Sequence, residues 1–224
     1  MSQFSKHDDI EAVMKKAEKT LQNIQNEYQK SLNCQVTSEL LVDVKDYLGN
    51  LKSALDYLAN KIGTSDGYFP VANSRNDFVH KTKDLSEKII IVLEKWQPYN
   101  NNEWIQWFNS LNNKSKHLTL IPQTRRESRE FSIKKNGAGI TARGCSFHGN
   151  ISFGVAGINV PIDEQTQFPV SMPGVDIQKI IWVNFIFDNK QFSFLPPNLS
   201  VLPFLKTCLN NIKNIIFEVE GLMD

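Results

Sequence analysis

Trp104-Ile-Gln-Trp-Phe-Asn-Ser-Leu-Asn-Asn-Lys-Ser-Lys-His-Leu-Thr-Leu-Ile-Pro122 divides the chain into a helical part and a strand-like part. Trp104, Trp107, Phe108 and Leu111 recur at helical spacing, and Ser115 and Leu118 continue the stripe. At about 100° per residue His117 falls opposite that stripe, on the face of Gln106, Ser110 and Asn113, with Lys114 and Lys116 to either side. The stretch predicts a helix with an aromatic buried face and a polar face ending in a cationic, histidine-bearing cluster.

Upstream, the period is helical. Asp8 and Glu11 read as a capping-box variant. Ile10, Met14, Ala17, Leu21, Ile24 and Tyr28 then alternate steps of four and three, up to Asn33 and Cys34. Ser38 can cap a second helix, whose seam is Leu41, Val44, Leu48, Leu51, Leu55, Leu58 and Ile62, with Gly63 as its stop. A short polar link between matching seams predicts an antiparallel helical hairpin. The segment from Thr64 to about Lys83 is irregular. A further helix carries Leu85, Ile89, Val92, Leu93 and Trp96 inward and stops at Pro98.

Downstream of Pro122 the period falls to two. Phe131 and Ile133 alternate with polar residues, Asn136-Gly137 is a hairpin signal, and Ile140 and Ala142 continue beyond it. Gly149-Asn150 predicts a second reversal, between Cys145–His148 and Ile151–Val155. Val160, Phe168–Val170 and Val183, Phe185 and Phe187 suggest further strands, and Asp188-Asn189 turns the chain into Phe192 and Phe194. The expectation is one small antiparallel sheet of roughly five to seven strands. After Pro196-Pro197, Leu202, Leu205, Leu209, Ile212, Ile216 and Val219 mark a last helix, packed on the bundle or on the sheet. The expected organisation is a helical bundle over 1–122, a β region over 123–197 and a closing helix over 198–224.

The 224 residues carry 25 lysines and arginines against 24 acidic residues, so no global basic field favours bulk nucleic-acid binding. Three separated cysteines, Cys34, Cys145 and Cys208, have neither disulfide-framework nor metal-ligand spacing. No metal or cofactor motif is present: Gly137-Ala-Gly139 belongs to a hairpin, and no His-Glu-x-x-His or Gly-x-Ser-x-Gly occurs. The first residues lack the apolar core of a signal peptide, and the longest aliphatic run, Ile89 to Leu93, is far too short to span a bilayer. These features together lead us to expect a soluble, cytoplasmic protein.

His117 between lysines has the chemistry of a general acid or base, or of a phosphate donor. A solvated helix end, where cations meet the negative end of the dipole, carries the same pattern. Arg125, Arg126 and Arg129, with Lys114 and Lys116, can make a local patch for an anionic ligand, although Glu127 and Glu130 dilute it. Asp56 lies outside the second helix's seam. It can orient a cation from another helix or simply face solvent. Arg75 and His80 share the irregular segment.

Four blocks point to a resemblance. They are Ser53-Ala-Leu-Asp56-Tyr-Leu58, Tyr68-Phe-Pro-Val71, Gln97-Pro-Tyr99 and Leu111-Asn-Asn-Lys-Ser-Lys-His117. In this order and spacing, over about Leu41 to Leu120, the chain resembles a group of bacterial proteins whose helical part is HEPN-like. The resemblance implies a four- or five-helix bundle, often dimeric, that binds or cleaves RNA without metal in a defence or stress system. Lys116 and His117 match its Lys-His pair, while Ser115 and Leu118 replace the usual aspartate and arginine. The family's ribonuclease motif places an arginine four to six residues before the histidine. Those positions hold Leu111, Asn112 and Asn113 here. The resemblance therefore puts His117, Lys116 and Asn113 at the catalytic positions and removes the arginine that would stabilise the scissile phosphate. The expected partner is RNA. The alternative is a non-catalytic interaction module that dimerises through its helical seams and takes a partner protein.

Overall fold

A computed structural model describes residues 6–31, 36–117, 120–188 and 193–223, with the side chains of 6–8 and 117 also outside the description. Cys34, Leu118 and Phe192 therefore fall outside it, as do the side chains of His7, Asp8 and His117. The chain is mixed α+β and divides into two compact units. One comprises residues 1–124 and 186–224, the other 125–185.

The first unit is helical. Helix α1 (Lys6–Lys30) buries every residue of its seam, from Ile10 to Tyr28. Helix α2 (Ser38–Ile62) is capped by Thr37, whose hydroxyl accepts the N–H of Leu40 at 3.2 Å, so the cap lies one residue before the expected Ser38. It ends at Gly63, where φ is 83°, a left-handed turn that suits glycine. The C-terminal end of α1 (Asn26, Glu27, Lys30) and the N-terminal end of α2 (Thr37, Glu39, Asp43) line one groove, as an antiparallel hairpin requires.

Helix α3 (Arg75–Thr82) occupies a segment the periodicity left irregular. Ser74 caps it by accepting the N–H of Asp77 at 3.3 Å, and Phe78 and Thr82 are its buried residues. Eight residues with two inward positions leave almost no hydrophobic period to detect. Helix α4 (Glu87–Lys95) buries Val92 and Leu93 and runs into a short 3-10 turn, Pro98–Asn100. Helix α5 (Glu103–His117) buries Trp104, Ile105, Phe108, Leu111, Asn112 and Ser115. Its buried face is thus rotated from the expected stripe: Ile105 is fully enclosed and Trp107 is half-buried.

Helix α6 (Val201–Glu220) packs on the bundle. Its seam from Leu205 to Val219 is buried, and the Tyr47 hydroxyl donates to Leu205 O at 2.8 Å. Ion pairs Lys61–Glu220 (2.7 Å), Lys95–Glu218 (3.1 Å) and Lys213–Glu18 fix its flanks.

The second unit holds two three-stranded antiparallel sheets rather than the single sheet expected. Strands β1 (Gln123–Lys135), β2 (Ala138–Arg143) and β6 (Asp176–Phe187) form one, in the order β2-β1-β6. Strands β3 (Ser152–Val155), β4 (Ile158–Asp163) and β5 (Phe168–Pro169) form the other. Phe131, Ile133, Val155, Val160, Ile162 and Phe168 make a single core. Asn136 and Gly137 turn β1 into β2 with positive φ (50° and 79°), placing Ile133 opposite Ile140.

The reversal expected at Gly149-Asn150 is not a hairpin. β3 and β4 are joined through Ala156 and Gly157, with φ of 46° and 77°. Residues 145–148 form no strand. The Gln167 side chain bonds both the N–H and the C=O of Phe147, at 2.6 and 2.9 Å, and so satisfies the backbone that a neighbouring strand would otherwise pair. Phe194, expected in a strand, lies in a turn.

Candidate functional site

Three successive turns of α2 hold the loop that follows it. Lys52 donates to Asp56 Oδ1 at 2.5 Å, one helical turn on. The same carboxylate oxygen accepts the backbone N–H of Phe69 at 3.1 Å. Asn60 donates to Asp56 O and to Gly67 O, at 2.9 and 3.1 Å. Gly67 has φ of 71°, and an added Cβ would stand 3.0 Å from Asn60 Oδ1, so glycine answers both the turn and the close approach. Asp66 accepts the N–H of Tyr68 at 3.0 Å, and the Tyr68 ring lies 5.6 Å from the Lys52 ammonium.

Gln97 fixes the other end of the loop. It is fully buried, donates to Pro70 O and Leu93 O at 3.0 Å each, and accepts the N–H of Ala72 at 2.9 Å. One side chain thus answers both the Pro70 carbonyl and the Ala72 N–H. Lys81 of α3 reaches Val71 O at 2.7 Å and Asp77 at 3.0 Å. The Tyr68–Val71 backbone is therefore tied to α2, α3 and the end of α4.

This loop, α2 and α5 enclose an open pocket of about 400 Å³. Asn109, Asn113 and Lys116 face it from α5 at positions i, i+4 and i+7, one helical face. Their side chains have no hydrogen-bond or ion-pair partner among the described residues. Lys52, Asp56, Asp66 and Lys81 complete the charged lining, three lysines against two aspartates. Lys52 is matched by Asp56 and Lys81 by Asp77, which leaves Lys116 as the unmatched cation among these residues. The pocket suits an anion beside a polar, stackable group.

A groove of about 460 Å³ between α1 and α2 has the opposite character. Glu27, Glu39 and Asp43 line it against Lys30 alone, and Lys30 is already paired with Glu27 at 2.6 Å. Burial, then the charges of Asp46 and Glu27, push the Asp43 carboxyl above the usual aspartate range. Such a groove repels phosphate.

Of the residues singled out from sequence, Asn113, Lys116 and Asp56 meet in one pocket. Asp56 pairs with a cation on its own helix rather than on another. His117 ends α5, its side chain outside the described residues. Lys114 is turned to the Phe194 ring, 4.7 Å from its centroid. Arg125, Arg126 and Arg129 lie on β1 in the second unit. Arg125 pairs with Glu127 at 2.6 Å, Arg126 is exposed, and Arg129 lines a pocket of about 300 Å³ beside Cys145 and His148. His80 is exposed on α3, and Arg75 pairs with Glu94 at 3.0 Å.

Sequence reasoning missed Lys52, Lys81 and Asn109, and reached Tyr68 only as part of a resemblance block, with no role at the site. The i, i+4 spacing of Lys52 and Asp56 was a usable signal. That of Asn109 and Lys116 depended on knowing the rotation of α5.

Among the described residues no group of three or more His, Cys, Asp or Glu side chains is placed to hold a metal ion, and no helix is long and apolar enough to cross a membrane. No family model, curated protein or solved structure matches the chain.

Proposed function

We propose that the protein binds RNA through its helical unit, as a HEPN-like protein with degenerate catalysis, and that a bacterial defence or stress role goes with that reading. One observation carries it. The sequence blocks behind the HEPN resemblance are far apart in the chain, yet Asp56, Tyr68–Val71, Asn113 and Lys116 line a single pocket, and Gln97 braces its loop.

The same helix supports the reading of degenerate catalysis. Of the three positions where the family's arginine would stand, Leu111 and Asn112 are buried and Asn113 alone is exposed. Asn113 carries no charge to meet a developing phosphate dianion. Lys116 is the nearest cation on that face, and it serves binding more than transition-state stabilisation.

The full chain, titrated with fluorescently labelled single-stranded RNA, should bind with an affinity that falls steeply with salt. Lys116→Ala should lower the slope of log K against log salt by about 1. In chelator, parent and His117→Ala should leave mixed RNA equally intact. Cleavage by the parent alone would replace degenerate catalysis with a working ribonuclease. Absence of binding at low salt and high protein concentration would remove the RNA reading.

The interaction-module alternative finds support in a different surface. The seams of α1, α2 and α6 are buried within the helical unit apart from the half-buried Leu41, Ile62 and Leu202 at their ends. On β6, however, Ile180, Ile181 and Trp182 are successive and each about half exposed. Ile180 and Trp182 lie on one face of the strand, and light scattering of parent and Ile180→Lys protein tests that face: a dimer that dissociates on substitution favours the module.

A further inference from the structure

Resting on the RNA reading, we infer that the pocket receives one unstacked nucleotide, its base on Tyr68, its base edge on Asn109 and Asn113, and its phosphate on Lys116. The volume, about 400 Å³, lies within the roughly 300–1,000 Å³ of small-ligand pockets. It exceeds what a phosphate alone would need.

Three independent features specify the ligand. Tyr68 is 61 % exposed although its backbone is held by Asp66 and its neighbour Phe69 by Asp56, so the ring is presented to solvent from a fixed loop. The Lys52 ammonium sits 5.6 Å from that ring on one side, already neutralised by Asp56. A pre-positioned aromatic ring is a platform for a base rather than for a phosphate. From α5, Asn109 and Asn113 line the same pocket, one helical turn apart. Each offers an amide N–H₂ and a carbonyl oxygen, the combination that pairs with the donor and acceptor edge of an unpaired base. Lys116, three residues beyond Asn113, supplies the charge.

A duplex hides both the face and the edge that these groups address, so the ligand is a single-stranded nucleotide or a free mononucleotide. A chain that only grips backbone would need neither Tyr68 nor the two amides.

Binding of the full-length protein is measured for AMP, UMP, single-stranded hexa-adenylate and hexa-uridylate, and a duplex RNA. The single strands should bind well above the duplex. Tyr68→Ala should weaken them about tenfold, and Tyr68→Phe should restore most of that loss, because the ring does the stacking. Asn113→Ala should compress the difference between adenylate and uridylate while leaving the salt slope unchanged. Lys116→Ala should reduce the slope instead.

Equal binding of duplex and single strand, sensitive to Lys116→Ala but indifferent to Tyr68→Ala, would overturn the nucleotide pocket and leave a backbone-binding RNA protein. Tyr68-dependent binding of AMP or UMP with no binding of the oligonucleotides would uphold the pocket and overturn the RNA reading. Failure of every probe would overturn both.

Discussion

Asp56 and Phe69, thirteen residues apart, are joined by a 3.1 Å hydrogen bond from the Phe69 N–H to the Asp56 carboxylate, which also holds the Lys52 ammonium. One side chain thus neutralises a lysine that is only 11 % exposed and sets the loop on which Tyr68 is displayed. Its removal leaves a shielded cation and a backbone donor unmatched. Asp56→Ala should cost about 2–3 kcal/mol of stability, and Asp56→Asn less, since the amide oxygen can still accept from Phe69. Urea unfolding followed by helical circular dichroism measures both, and equal losses would assign the effect to charge alone.

Gln97 makes three hydrogen bonds from a fully buried position. Gln97→Ala should destabilise the helical unit by about 2–4 kcal/mol, because Ala72 N–H and Pro70 O lose their partner without gaining water. Gln97→Glu should not rescue it: a carboxylate cannot donate to Pro70 O. Hydrogen exchange at Ala72 supplies a local readout: protection there should fall in Gln97→Ala, whereas the Gln97→Glu carboxylate still accepts that N–H.

Leu55 is 1 % exposed in the α2 seam. Leu55→Ala removes buried methyl groups and leaves a cavity. The expected loss is about 2–5 kcal/mol. A loss below about 1 kcal/mol in the same unfolding measurement would contradict close packing at this point of the bundle.

In the second unit, hydrogen bonds from Arg143 and then from Trp182, whose Nε1 lies 2.9 Å away, hold the Glu130 carboxyl below the usual glutamate range. Arg143 also lies over the Trp182 ring, 5.3 Å from its centroid. The folded state therefore binds this proton less readily than the unfolded chain. Its stabilisation is complete above the ordinary glutamate value, about pH 4.3, and disappears as pH falls through the lower folded value. Thermal melts should show a smaller acid-side decline for Glu130→Gln than for the parent. Trp182 fluorescence in the parent should change across the same window.

Much of the architecture is local in origin and was legible in the chain. The α1 seam from Ile10 to Tyr28 and the α6 seam from Leu205 to Val219 repeat at three and four because a helix must bury one stripe. Gly63 and Asn136-Gly137 mark left-handed turns because few other residues tolerate them. Nearest-neighbour sterics and hydrophobic period are enough for such features. α3 escaped because two inward residues make no period, and the 145–148 segment was misread because a side chain, Gln167, took the place of a strand.

The pocket was decided by tertiary structure. Asn113 and Lys116 were visible as polar residues on a helix, but a wheel centred on Trp104, Trp107 and Phe108 left Ile105 unassigned. Packing buries Ile105 and half-exposes Trp107, and that rotation presents Asn109, Asn113 and Lys116 together. Phe69 meets Asp56, and Pro70 meets Gln97, across 13 and 27 residues of chain. No local rule encodes such meetings, because their free energy comes from satisfying backbone donors and acceptors that become shielded only once the helices have packed.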